Sequence, residues 1–214
     1  MGRVREVTTA EPFVAADADT KDWTWVLERA CAACGVDAGS VPLTAVPRLL
    51  DEAAAAWTAV LGSGGSGGNG SDGDERLRRR PRPGVWSTTE YAAHVRDVHR
   101  VFDERLALVL GTTGEDVATF ANWDQDAAAA VGRYDLDEPR QVAHDLAAAS
   151  ARVADRYAAV RPEDAGRRGI RSNGSAFTVT TLAQYHLHDV LHHLHDVGAP
   201  VPATALPTTD GSTA

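Results

Sequence analysis

Residues 185–198 read YHLHDVLHHLHDVG and place five of the chain's eight histidines within ten positions. A helix is predicted from about Thr180 to Val197, stopped by Gly198 with Pro200 beyond. At about 100 degrees per residue, His188, His192 and His195 lie together, and His186 and His193 point elsewhere. His188 and His192 are four positions apart, which stacks two imidazoles about 6 Å apart along the axis. Both can then reach one divalent ion at roughly 2.0–2.1 Å, and a third ligand from another helix completes a triad with coordination positions left open.

The third ligand is sought upstream, in WSTTEYAAHVRDVHRVFDERLALVLG over residues 86–111. Ser87 followed three positions later by Glu90 is a capping box, and Gly111 is the stop. Tyr91, Val95, Val98, Phe102, Leu106 and Val109 form the inward stripe, with Arg96, Asp97, Arg100, Asp103 and Glu104 turned mostly to water. His94 stands on the edge of that stripe, where a bundle can set it opposite the last helix. The expected metal set is therefore His94, His188 and His192, with His186 and His193 as bystanders.

Two further helices are expected. One starts near Thr44, tolerates Pro47 in its first turn and runs to about Leu61, with Leu49, Leu50, Ala53, Trp57, Val60 and Leu61 at helical spacing. The other runs from Asp137 as N-cap, through Pro139, to about Val160, and its alanines allow close packing. Residues 112–137 read as a long connection with a short helix at DAAAAVG, and RSNGS at 171–175 as a turn. The fold class is all-α, a four-helix bundle over residues 41–200. Residues 1–40 form an irregular arm that Trp23 and Trp25 dock on the bundle. The Gly/Ser-rich stretch 62–74 reads as a flexible loop, and 201–214 as a disordered tail.

The chain's 214 residues suit one domain, and its aromatics amount to only 6%, which favours packed helices over thick sheets. Net charge is -9, and the largest basic cluster is Arg76, Arg78, Arg79, Arg80 and Arg82, read as a solvated loop. A nucleic-acid partner is not expected, because it requires an extended cationic face. No stretch approaches the roughly 20 apolar residues that span a bilayer, and the N-terminus lacks an apolar signal core, so a cytoplasmic protein without a membrane partner is expected.

Cys31 and Cys34 are too few and too close to staple a secreted fold. Three readings stay open for them: core packing, a thiol redox pair, and part of a second metal site completed by residues from elsewhere. Asp124, Asp126, His195 and Asp196 are candidates to accept a ligand's spare imidazole N–H or to move protons. Asp189 ranks lower, being turned about 100 degrees from its neighbour His188.

The two histidine-bearing segments, with DTKDWTWVLERACAACG and FANWDQDAAAAVGRYD, resemble the DinB-like superfamily, in particular the branch grouped with mycothiol-dependent maleylpyruvate isomerase. The resemblance covers most of residues 20–198 apart from the glycine-rich loop. It implies a bundle in up-down-down-up order, and a divalent metal, zinc first and nickel or iron as alternatives, on His94, His188 and His192. It also implies a mycothiol-type thiol as cofactor or small-molecule partner, in an S-transferase or isomerase; a homodimer is compatible with it. In the isomerase the last helix supplies a Glu and a His, and here His188 is read at the carboxylate's place. Arg96 and Arg171 are candidates to hold the carboxylates of such a thiol. The alternative is a noncatalytic metal-binding or stress-associated module, whose metal would be fully coordinated by protein.

Overall fold

The computed structural model describes residues 23–63, 70–202 and 205. Its helices are α1 (Val46–Gly62), α2 (Gly70–Arg78), α3 (Thr88–Gly111), α4 (Gln125–Gly132), α5 (Pro139–Ala158) and α6 (Val179–Asp196). Four of them make the bundle: α1 packs on α5, α5 on α3, α3 on α6, and α6 on α1. Leu49, Leu50, Trp57, Phe102, Leu106, Leu146, Leu182, Leu187 and Leu191 fill its core. Burying each such side chain contributes roughly 1.5–3 kcal/mol. No described helix is long and apolar enough to cross a membrane.

The chain is mainly helical as expected, but it also carries a small three-stranded sheet. Strand β1 (Ala118–Phe120) runs parallel to β2 (Arg168–Arg171), which pairs antiparallel with β3 (Ala176–Thr178). Strands of three and four residues are too short for apolar alternation to show in sequence. The RSNGS turn is the corner between β2 and β3, with Gly174 at φ 93 in the left-handed region. Gly169 lets the sheet close on α3: a β-carbon there would come within 2.7 Å of Phe120 and 2.8 Å of Val109.

Several boundaries differ from the expectation for local reasons. Residues 70–74 of the glycine-rich stretch are helical, because α2 carries Asp72 in its first turn and Arg76 and Arg78 in its last, matching the helix dipole. Leu77 is buried. The part of the expected loop at 64–69 lies outside the described residues. Helix α5 begins one residue later than read, with Glu138 as N-cap, since Asp137 pairs with Arg96 at 3.0 Å. Helix α6 is entered through a Thr178–Thr181 capping box. In the arm, of which residues 1–22 lie outside the described residues, Val26, Cys31, Cys34, Val36 and Ala38 are buried. Gln184 donates to the carbonyls of Gly39 and Val41, both at 2.9 Å, and so ties the arm to α6. Of the expected tail, Ala205 is buried and accepts from Asp37 N–H; residues 203, 204 and 206–214 lie outside the described residues.

The arginine run is not simply a solvated loop. Arg80 Nε donates to both carboxylate oxygens of buried Glu90 at 3.0 Å, and Arg78 pairs with Glu138 at 2.6 Å. Glu90 also closes the predicted capping box, accepting from Ser87 N–H at 2.7 Å as Ser87 Oγ accepts from Glu90 N–H at 3.2 Å. Glu90→Ala is therefore expected to destabilise the fold by about 2–3 kcal/mol, somewhat below the roughly 3–5 kcal/mol of a fully buried broken pair, because Arg80 keeps some access to water. Denaturant unfolding checks this; a loss under half a kcal/mol would mean that water replaces the carboxylate without cost.

Candidate metal centre

Helix α6 carries two i, i+4 pairs offset by a single residue: His188 with His192, and Asp189 with His193. One residue is about 100 degrees of turn, so the pairs face two neighbours. Asp189 and His193 meet His94 of α3, whereas His188 and His192 meet Cys31 and Cys34 of the arm. The triad expected from sequence is thus divided. His94 is not brought together with His188 and His192; its partners are Asp189 and His193. The pair that faces His94 is not the expected His188 and His192 but Asp189 and His193, one residue along the helix. Grouping His188, His192 and His195 fixed the wrong edge of the helix toward α3, since periodicity gives relative directions and only packing decides which direction faces which neighbour.

In the first group, His94 Nε2 lies 3.5 Å and His193 Nε2 3.3 Å from Asp189 Oδ1. Donors held at roughly 2.0–2.1 Å around a tetrahedral ion are about 3.4 Å apart, so these separations are those of ligands to one ion. His94 is fully buried, and neither of its ring nitrogens has a hydrogen bond. Trp123 stacks on it at 5.3 Å and 12°, and Trp86 covers it at 5.3 Å. A dry imidazole whose Nδ1 has no partner and whose Nε2 faces only the Asp189 carboxylate at 3.5 Å is poorly satisfied, and a cation between Nε2 and that carboxylate would bind both. Asp196 accepts from His193 Nδ1 at 2.8 Å, which turns Nε2 to the centre.

The electrostatics agree with this arrangement. Burial alone would lower the His193 pKa, but the Asp189 and Asp196 carboxylates outweigh it and raise it to about 9. Burial likewise opposes ionisation of Asp189, yet the contacts with His193 and His94 hold it well below the usual carboxylate range. His94 is lowered, chiefly by burial. Without an ion the group holds a His193–Asp189 ion pair beside a neutral His94, and loading a metal must displace the His193 proton.

In the second group, Cys31 Sγ is 3.7 Å from His192 Nδ1, and Cys34 Sγ is 3.8 Å from His188 Nε2. The four donor atoms all lie within 4.8 Å of one another, and the cysteines are not bridged. Between the groups opens a cavity of about 230 Å³, lined by Trp23, Tyr185, His188, Asp189, His192 and His193 among others.

The remaining candidates are placed as follows. Asp124 caps α4, accepting from Ala127 N–H at 2.9 Å, and Asp126 is buried on α4. His195 is half exposed, 6.3 Å from the His192 ring. Arg96 is taken up by Asp97 and Asp137, and Arg171 by Asn173 and Ser175 within the hairpin, so neither is directed to the cavity. His186 sits in the core, bonded to His99 at 3.0 Å. His193 and Asp189 were the residues that sequence reading passed over, although their spacing is the same as that of His188 and His192.

A sequence profile of the DinB superfamily matches residues 70–197. Among solved structures, the chain is similar to YfiT from Bacillus subtilis, described as a probable metal-dependent hydrolase with an unusual four-helix bundle topology. The likeness has a TM-score of 0.55 and 16% identity, over 72% of this chain and 86% of that one. No curated protein matches.

Proposed function

The chain belongs to the DinB superfamily, and on that premise we propose that it is a metal-dependent enzyme whose divalent ion sits on His94, Asp189 and His193 and activates a small nucleophile. The observation that carries this reading is the convergence of three donor atoms from two helices, 3.3 and 3.5 Å apart, on a buried His94 without hydrogen bonds. Three protein ligands leave a coordination position open, and the adjoining cavity gives it room. Bound there, the ion would act as a Lewis acid that lowers the pKa of a thiol or water beside it. The protein's own part is positional. Asp196 fixes the His193 tautomer, Trp86 and Trp123 exclude water from His94, and Asp189 balances one charge of a dication, leaving the centre electrophilic.

The substrate class is a low-molecular-weight thiol of the mycothiol type, used in S-transfer or isomerisation. A cavity of about 230 Å³ takes the reacting end of such a molecule and leaves the rest at the rim. A second reading, hydrolysis with water as the nucleophile, is favoured by the description of YfiT. Zinc suits two imidazoles and a carboxylate, as do nickel and iron.

Thermal shift of metal-loaded and metal-stripped protein with a panel of such thiols separates these readings. A thiol that is a substrate should stabilise only the loaded form, by about 2.7 kcal/mol at a hundred times its Kd. Equal shifts in both forms, or none with any thiol, would remove thiol transfer and leave hydrolysis or a noncatalytic role.

A further inference from the structure

We infer that Cys31, Cys34, His188 and His192 form a second, structural metal site, selective for a soft divalent ion of the zinc class, that fastens the N-terminal arm to the last helix beside the first centre. Four observations carry it. The sulfur–nitrogen separations of 3.7 and 3.8 Å match the roughly 3.6 Å expected between a thiolate at about 2.3 Å and an imidazole at about 2.0–2.1 Å around one tetrahedral ion. All four donors converge within 4.8 Å, which two thiols and two imidazoles packed as space-filling groups would not require.

The cysteine turn is already shaped to present its sulfurs. Gly35 takes φ 76, and its N–H donates to the Cys31 carbonyl at 2.7 Å, while Cys31 N–H donates to the Val36 carbonyl at 2.8 Å. The pair is held as thiols on one side of a tight loop, unbridged and buried. The charge balance also suits burial: two thiolates neutralise a dication, and the two thiol protons leave to solvent when it binds. The first centre, with one carboxylate, keeps a net positive charge. Four protein ligands close the second site and three leave the first open, so the two differ in role as well as in softness.

The site would add a further tie to an arm already seated by its buried residues and by Gln184. Trp23 lies 6.1 Å from the His188 ring and 5.5 Å from the His192 ring, and it lines the cavity shared with the first centre. The links join residues 154 and 161 positions apart, so one ion closes most of the chain into a loop. Loss of the second ion should loosen the cysteine turn and Trp23 beside the cavity, leaving His94, Asp189 and His193 in place.

The test is metal analysis of the full chain purified without an affinity tag, followed by stripping and titration with cobalt(II). Two equivalents are expected, one of them with the sulfur-to-cobalt charge-transfer absorption of a tetrahedral thiolate site. Cys34→Ser should remove that absorption and keep one equivalent; Asp189→Asn should keep the absorption and lose the other equivalent. Should Cys34→Ser fail to fold, alkylation of the wild-type thiols with and without a chelator gives a separate readout, with at least tenfold faster reaction expected once metal is removed. A single equivalent lacking sulfur character, a Cys31–Cys34 disulfide in purified protein, or alkylation indifferent to the chelator would each overturn the inference. Because the Asp189→Asn arm tests the first centre independently, failure of one site does not count against the other.

Discussion

His193→Ala and Asp189→Asn are each expected to lower metal affinity at the first centre by roughly a hundredfold or more. Structural zinc sites are worth about 10–16 kcal/mol over three or four ligands, so one ligand carries about 3–4 kcal/mol, and a factor of ten is about 1.4 kcal/mol. His94→Ala belongs to the same class. Asp196→Asn acts through His193 rather than on the ion, and weakening the bond at 2.8 Å to Nδ1 should cost about ten- to a hundredfold. Affinity should also keep rising with pH beyond the ordinary histidine value of about 6.5, because a proton held on His193 to about pH 9 must leave first. Competition titration with a chromogenic chelator measures all of these. Tight binding in His193→Ala with loss of the sulfur-free metal in His188→Ala would restore a triad of His94, His188 and His192 and sink the assignment made from the structure.

The contrast between those triads shows where sequence reading stops. The capping box at Ser87 and Glu90, the stop at Gly111, Pro139 at a helix start and the cluster of histidines before Gly198 are local signals, and each has a local physical cause that survives folding. They were enough for the bundle, and for pointing to α3 and α6 as helices that carry candidate metal-binding groups. Which face of α6 meets α3 is not local. It follows from how α6 packs against α1, α3 and the arm together, and the doublet HD at 188–189 followed four positions later by HH at 192–193 offers two equally spaced pairs. Recognising that both pairs satisfy the i, i+4 rule would have pointed to two sites. Cys31 and Cys34 find their partners more than 150 residues away, a distance over which spacing carries no signal. The strands escaped for a simpler reason, since three or four residues of β1, β2 and β3 owe their pairing to neighbours such as Phe120 and Val109 around Gly169.

Acid should destabilise this protein steeply below pH 6.5, through a pair of histidines away from both proposed metal groups. His99 Nδ1 and His186 Nε2 are 3.0 Å apart in the core, so one ring donates and the other accepts, which excludes charge on both rings together, and burial disfavours charge on either. Phe102 stacks on His186 at 4.6 Å and 10°, and both rings are fully buried. Burial lowers His99 to about 3, and it lowers His186 well below its ordinary value, with the neighbouring His99 adding to the effect. In the unfolded chain both titrate near 6.5. Folded-state values that are depressed mean that the unfolded state binds more protons below 6.5, so stability is complete above that pH and is lost as pH falls toward about 3. Each such proton is worth about 1.4 kcal/mol per pH unit, so even one of them is a sizeable part of a typical 5–15 kcal/mol over the next two units. His193 does not offset this slope: its folded value is raised, its contribution is already complete below 6.5, and it is lost only as pH rises through about 9. The double variant His99→Leu with His186→Leu removes both partners together, which leaves no orphaned donor and is nearly neutral at pH 7.5. Denaturant unfolding from pH 7.5 to 5 should show wild type losing stability more steeply than the variant in the lower half of that range. Parallel profiles would mean that the pair takes up a proton in the folded state, through water reaching the core between α3 and α6.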